Sequence, residues 1–154
     1  MAVMTNGFTC GAFDLLHPGH LHLLEWARNR CDKLIVGLHT DPTRDRPATK
    51  ESPVQTTFER WQQLKAVRTV DEIIPYDTEE DLVNLLAILD IQIRFLGDDY
   101  LHVGPFTGQD ICQQRNIEIL YAPRKHSYSS TKLRRRLQQG DSDACDFLRP
   151  RWRD

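Results

Sequence analysis

The sequence predicts an α/β protein, a doubly wound parallel sheet of five strands with helices on both faces, and three observations carry that expectation. Short apolar runs alternate with stretches of helical period along most of the 154 residues, as in a chain of βα units. The first apolar run stops at Gly11, and a helical pattern begins after a loop containing Pro18, a residue suited to the first helical position. Hydrophobic residues make up 40% and charged residues 27%, ordinary for a folded chain, so this length supports a single core.

"NGFTCG" (Asn6 to Gly11) forms the first strand, and "GHLHLLEWARNRC" places Leu21, Leu24, Ala27 and Cys31 on one helical stripe. "KLIVGLH" (Lys33 to His39) reads as a buried second strand. The next 17 residues, "TDPTRDRPATKESPVQT", hold three prolines and no period, too long for an ordinary connection and therefore functional or mobile. "TFERWQQLKAV" opens on a capping-type Thr and carries Phe58, Trp61, Leu64 and Val67 near helical spacing; "DEIIPY" is a short strand. Thr78 and the acids after it start a helix over "TEEDLVNLLAIL". "IQIRFLG" and "IEILYAP" are the last two strands, with a short helix over "GQDICQQR" between them. "SSTKLRRRLQQG" is a helix capped by Ser129 or Ser130 and stopped by Gly140. Residues 1–140 are therefore expected to form one domain, and residues 141–154, which lack a clear period, a tail without an assigned role.

With 20 Lys+Arg against 22 Asp+Glu, no overall basic field draws nucleic acid, so any anion must be bound locally. Cys10, Cys31, Cys112 and Cys145 are scattered without a CxxC pair and read as reduced thiols. The most apolar stretch, "LVNLLAILDIQI", is broken by Asn84 and Asp90, and the N-terminus lacks a basic segment leading into an apolar core. No membrane association and a cytoplasmic location are the expectations.

The chemistry concentrates in "GAFDLLHPGH". In a doubly wound sheet the loop after the first strand delivers the chain to a helix N-terminus at the ligand-binding edge. Free N–H groups and the positive end of the helix dipole make that terminus a site for phosphate, with His17 at its lip and His20 in its first turn. Gly19 lets backbone and ligand approach closely. Two histidines three apart also suit zinc, with His22 or His39 as a third ligand, or a purely structural role. No Cys or acid falls at a helpful spacing for zinc, so no protein-bound metal is expected. Fixed donors here suit nucleotidyl transfer, in which a phosphate oxygen attacks the α-phosphorus of a nucleoside triphosphate and pyrophosphate leaves.

"GAFDLLHPGH" resembles the G-[ST]-F-D-x-x-H-x-G-H signature of the nucleotidylyltransferase superfamily. "ER" at Glu59 and Arg60, "VDEIIP", "FLGDDY" and "RKHSYSSTKL" extend the likeness to the glycerol-3-phosphate cytidylyltransferase group, from about Asn6 to Leu137. The resemblance implies a Rossmann-like fold and transfer of CMP from CTP to a phosphorylated small alcohol such as glycerol 3-phosphate. It also implies a homodimer and Mg²⁺ carried mainly by the nucleotide phosphates. The signature motifs hardly separate this from an adenylyltransferase that couples ATP to a sugar phosphate or flavin-type acceptor.

By the same resemblance, His17, His20, Lys50 and Arg124 are the catalytic residues. Nucleotide contacts fall to Cys10, Gly11, Ala12 and Phe13, to Gly97, Asp98 and Asp99 near the base, and to Arg124, Tyr128, Ser129, Ser130 and Thr131 near the phosphates. Acceptor contacts fall to Asp14, Arg46, Arg60 and Asp71, with Asp71 more positional than chemical. Residue types support part of this: Ser129 to Thr131 put hydroxyls at a second helix N-terminus, and Arg124 adds a planar fork of donors. Arg46 and Lys50 can form a basic lid over the leaving pyrophosphate, or a solvated charge run. Ala12 departs from the signature, which has Thr or Ser there, so one phosphate donor is lost and only the amide remains.

Overall fold

The computed structural model describes residues 3–140, and the 141–154 tail with Cys145 lies outside the described residues. Five strands, β1 (Asn6–Gly11), β2 (Lys33–His39), β3 (Glu72–Tyr76), β4 (Ile93–Gly97) and β5 (Glu118–Ala122), form one all-parallel sheet in the order β3-β2-β1-β4-β5. The expected Rossmann-like class is what is found. Helices α1 (Pro18–Arg28), α2 (Thr57–Lys65), α3 (Glu79–Ile88), α4 (Gln109–Gln114) and α5 (Ser130–Gln139) complete it, with a 3-10 helix at Asp98–His102.

Alternation of side chains along the strands divides the core in two. Leu34, Val36 and Leu38 of β2 pack with Leu24 and Ala27 of α1 and Leu64 of α2. Ile35 turns to the other face, among Phe8, Leu82 and Leu86 of α3 and Cys112 of α4. The helix starts reflect local chemistry: Thr56 and Thr78 each make a reciprocal capping box, with Glu59 and Asp81. The cap of α2 is thus Thr56, one residue before the helix the periodicity marks out. Two stripe positions are exposed: Leu21 at 37%, and Phe58 at 64%, which stacks on Trp61 at the surface.

Strand order fixes where a ligand can enter. The chain runs outward from β1 through β2 to β3, then returns to place β4 on the other side of β1. The crevice between the carboxyl ends of β1 and β4 is therefore the switch point of the sheet. No described helix is long and apolar enough to cross a membrane.

Arg60 corrects the expectation that it touches substrate. It is 1% exposed, and its guanidinium donates to the carbonyls of Ala12 (2.8 Å), His39 (2.7 Å), Thr40 (2.6 Å) and Gln55 (3.0 Å) and to Thr57 Oγ1 (3.3 Å). It locks the ends of β1 and β2 to the start of α2, while burial pulls its pKa down from the ordinary value. Arg60→Met keeps the length and removes every donor, so it is expected to destabilise the fold by about 3 kcal/mol. Denaturant titration checks this, and a loss below about 1 kcal/mol would mean that water replaces the fork.

Asp71 is also corrected. It precedes β3 at the amino edge of the sheet, opposite the crevice, where its Oδ2 accepts from Leu34 N (2.7 Å) and pairs with Arg28 Nε (2.9 Å). Its contribution is to hold β3 beside β2.

Candidate active site

The segment between β1 and α1 is bent and tightly held. Phe13 and Leu15 take left-handed backbone angles, φ 49° and 50°, unusual for residues with a Cβ and sustained by the surroundings. Asp14, between them, is 4% exposed. Its carboxylate accepts from Val54 N (2.8 Å), Gln55 N (2.9 Å) and Arg134 Nη2 (2.7 Å), and its carbonyl accepts from Ser130 Oγ (2.8 Å). Burial acts to raise the carboxyl pKa, and the two amides with Arg134 outweigh it, leaving the group below its ordinary value. Asp14 is therefore a structural junction that also borders the cavity.

His17 caps α1: its Nδ1 accepts from Gly19 N at 3.0 Å, with Pro18 in the first turn as expected. An accepting Nδ1 assigns the proton of the neutral ring to Nε2. The His17 and His20 rings stack at 3.8 Å between centroids, 23° from parallel. Burial pushes the His17 pKa down to about 4, with His126 and Arg124 adding repulsion; burial and His17 push His20 down to about 3. Both rings are neutral donors near pH 7. His20 Nδ1 is buried without a hydrogen-bond partner, which leaves a polar atom for a ligand to satisfy. Gly19 admits rings as much as ligand, since a Cβ there would stand 2.6 Å from His126 Cε1 and 2.8 Å from His17 Cε1.

A second helix N-terminus faces the first. Ser129 caps α5 through Lys132 N (3.1 Å), and Ser130 spends its hydroxyl on Asp14 O, so both serines are structural through their oxygens while the leading amides of α5 remain. Arg124 donates its amide to Asp98 Oδ2 (2.8 Å) and its Nη2 to Tyr128 O (3.3 Å). Asp98 thus pins the segment after β5, and the cavity wall is formed by Gly97 and Asp99 instead. A side chain on Gly97 would meet Asp99 Oδ1 at 2.3 Å, so the glycine makes room for that carboxylate.

These termini open on one cavity of about 870 Å³, within the range of small-molecule sites. Cys10 to Asp14, both histidines, and the Arg124, Tyr128 and Ser129–Thr131 group all line it. The 40–56 segment folds against it with Arg46 and Lys50 on the wall. Arg46 pairs with Glu79 at 2.7 Å, Asp45 accepts from Glu79 N (2.7 Å), and Glu51 pairs with Arg134, so this segment is tethered along its length as well as at the Val54 and Gln55 amides. Beside the histidines, the Asp14 carboxylate is already taken by two amides and an arginine. The described residues that come close enough together to hold a metal are His39, Asp45 and Glu79, apart from the stacked pair.

Sequence reasoning missed Arg134, although it lies one helical turn after Ser130 and shares its face. It also passed over Arg94, visible as a lone charge in the apolar run "IQIRFLG".

Comparison with known proteins shows the family. The Bifunctional protein HldE of Hyphomonas neptunium is 36% identical over 134 residues, 87% of this chain and 27% of that protein. That of Caulobacter sp. is 37% identical over 127 residues, 82% and 26%. The chain thus spans about a quarter of the length of these relatives. In fold it is similar to a lipopolysaccharide core biosynthesis protein from Thermoplasma volcanium, with TM-score 0.62 and 24% identity, covering 82% of this chain and all of that one. A pantothenate synthetase from Thermus thermophilus gives TM-score 0.57 and 16% identity, over 91% of this chain and 72% of that one. The model of the cytidylyltransferase-like family matches residues 8–136, from the first strand into α5, and the chain belongs to that family of nucleotidyltransferases.

Proposed function

We propose that this protein transfers a nucleoside monophosphate from a nucleoside triphosphate to the phosphate of a small phosphorylated sugar, with ATP as the donor. The observation that carries the transfer reading is the stacked, neutral His17–His20 pair at one helix N-terminus, sharing a cavity with the N-terminus of α5. An acceptor phosphate oxygen attacks the α-phosphorus, the bond to the β-phosphate oxygen breaks, and pyrophosphate departs. His17 Nε2–H and a His20 N–H donate to oxygens that gain charge in that step. The amides leading α5, Arg124 and Lys50 hold the leaving phosphates. A divalent cation on the triphosphate supplies further charge neutralisation.

Two considerations favour ATP and a sugar phosphate over CTP and glycerol 3-phosphate. The relatives that match most of this chain carry the HldE name, so the CTP donor loses the support that motif resemblance lent it. A cavity of about 870 Å³ also leaves a polar end beside His39, Arg46 and Glu79, suited to a polyol larger than glycerol. Pyrophosphate release measured with ATP, CTP, GTP and UTP, each with glucose 1-phosphate, mannose 1-phosphate or glycerol 3-phosphate, tests the reading. Turnover with ATP and a sugar phosphate is expected; turnover confined to CTP and glycerol 3-phosphate would restore the other donor and acceptor.

A further inference from the structure

Two arginines among the described residues are almost wholly buried, and they differ in what compensates them. Arg60 has five acceptors around its guanidinium. Arg94, in β4, is 2% exposed and donates Nη1 to a single carbonyl, Thr107 O, at 2.6 Å. Its other neighbours are soft or aromatic: the Cys112 thiol at 3.9 Å, the Cys10 thiol, which shares a side-chain hydrogen bond with it, and the Phe106 ring, 5.0 Å from guanidinium carbon to centroid. Nε has no hydrogen-bond partner, and no carboxylate pairs with Arg94 among the described residues. A buried cation with so little around it is costly unless an anion arrives.

The position of Arg94 says where that anion would lie. Arg94 pairs in register with Phe8, whose side chain packs among Leu82, Leu86 and Cys112, so both face α3 and α4 while the histidines begin α1 on the other side. It lines the same cavity as the histidines, together with Cys10, Tyr76, Tyr100 and Phe106. Its charge is felt by Cys10, whose thiol pKa is raised by burial and drawn back by Arg94. The charges that act on His17 are His126 and Arg124. The other cation at this end, Arg46, is neutralised by Glu79. Arg94 is therefore a positive charge without a paired carboxylate among the described residues, reaching the cavity from the sheet face opposite α1.

We infer that Arg94 anchors an anion subsite, and that the acceptor carries a second anionic group, phosphate or carboxylate, in addition to the phosphate that attacks. This rests on the transfer reading above for the word acceptor, and on the geometry alone for the subsite. The guanidinium fork would meet that group side-on, and Tyr100 and Phe106 would flank the sugar between the two anions.

Calorimetric titration of the full chain without nucleotide, with glucose 1-phosphate, glucose 1,6-bisphosphate and glucuronate 1-phosphate, tests the subsite. At least one doubly anionic probe should bind about tenfold tighter than glucose 1-phosphate, and which one does identifies the anion. Arg94→Met should erase that difference by weakening the doubly anionic probe alone, and Arg94→Lys should keep part of it. Equal binding of the three probes, or no binding of any, overturns the inference. So does an Arg94→Met variant that weakens all three alike with a lowered thermal midpoint, since Arg94 would then serve only to pin the 105–107 segment. Pyrophosphate release on the same wild-type sample is read separately: its absence would count against the transfer reading and leave the titrations to judge the subsite.

Discussion

Replacing either His17 or His20 by alanine is expected to lower kcat/KM for nucleotidyl transfer by about 10²–10³-fold, the scale of losing one preorganised donor to a developing oxyanion. The two losses should not multiply, because stacked rings 3.8 Å apart serve one group of phosphate oxygens. His17 also caps α1, so His17→Ala carries a stability cost of about 1 kcal/mol. His17→Asn, which can still accept from Gly19 N, separates the cap from the catalytic contribution. Unaltered turnover in His20→Ala, or in both His17 variants, would remove that histidine from the reaction. The protonation state is open to direct test. With folded values of about 4 and about 3, against the ordinary 6.5, imidazole resonances of both residues in the ligand-free protein should stay flat between pH 6 and 8. Because the folded state resists protonating them, their contribution to stability is intact above pH 6.5 and is lost as pH falls toward 4.

Much of this site was legible because its logic is local. Gly11, Pro18 and the paired histidines mark a strand, a turn and a helix N-terminus within a dozen residues, and Thr78 or Ser129 announces a cap through the helix-forming residues just after it. What was hidden depends on partners distant in the chain. Nothing in "ER" distinguishes an arginine that meets substrate from one whose fork closes on carbonyls contributed by Ala12, His39 and Thr40. Asp98 and Asp99 are adjacent and alike, yet one binds the amide of Arg124 and the other lines the cavity. The 3-10 turn at Asp98–His102 carries no apolar period and reads as an open loop. Arg94 shows the opposite case: a charge inside a strand was plain to see, and only the sheet register tells which face it takes.

Asp14→Ala is expected to be the most damaging substitution away from the reacting groups, and its signature separates two roles. If Asp14 merely touched the acceptor, Asp14→Asn would raise the acceptor KM and leave stability and nucleotide binding alone. The structure instead ties Asp14 to Val54, Gln55 and Arg134, so the loop after β1, the approach to α2 and the whole of α5 meet at one carboxylate. Removing it strands a largely buried arginine and two amides, a loss of about 3 kcal/mol in a denaturant titration. It also frees α5 to shift relative to α1, and a displacement of about 1 Å between groups that share one triphosphate is enough for a roughly 10²-fold fall in kcat. Asp14→Asn should lose part of both, since an amide can accept from one backbone donor and cannot hold Arg134 by charge. Arg134→Met should weaken triphosphate binding and leave the Val54 and Gln55 contacts in place. The carboxylate's contribution is present above the unfolded carboxyl pKa of about 4 and disappears as pH falls through the lower folded value. An Asp14→Asn protein with unchanged stability and an altered acceptor KM alone would return this residue to the acceptor and leave α5 held by something else.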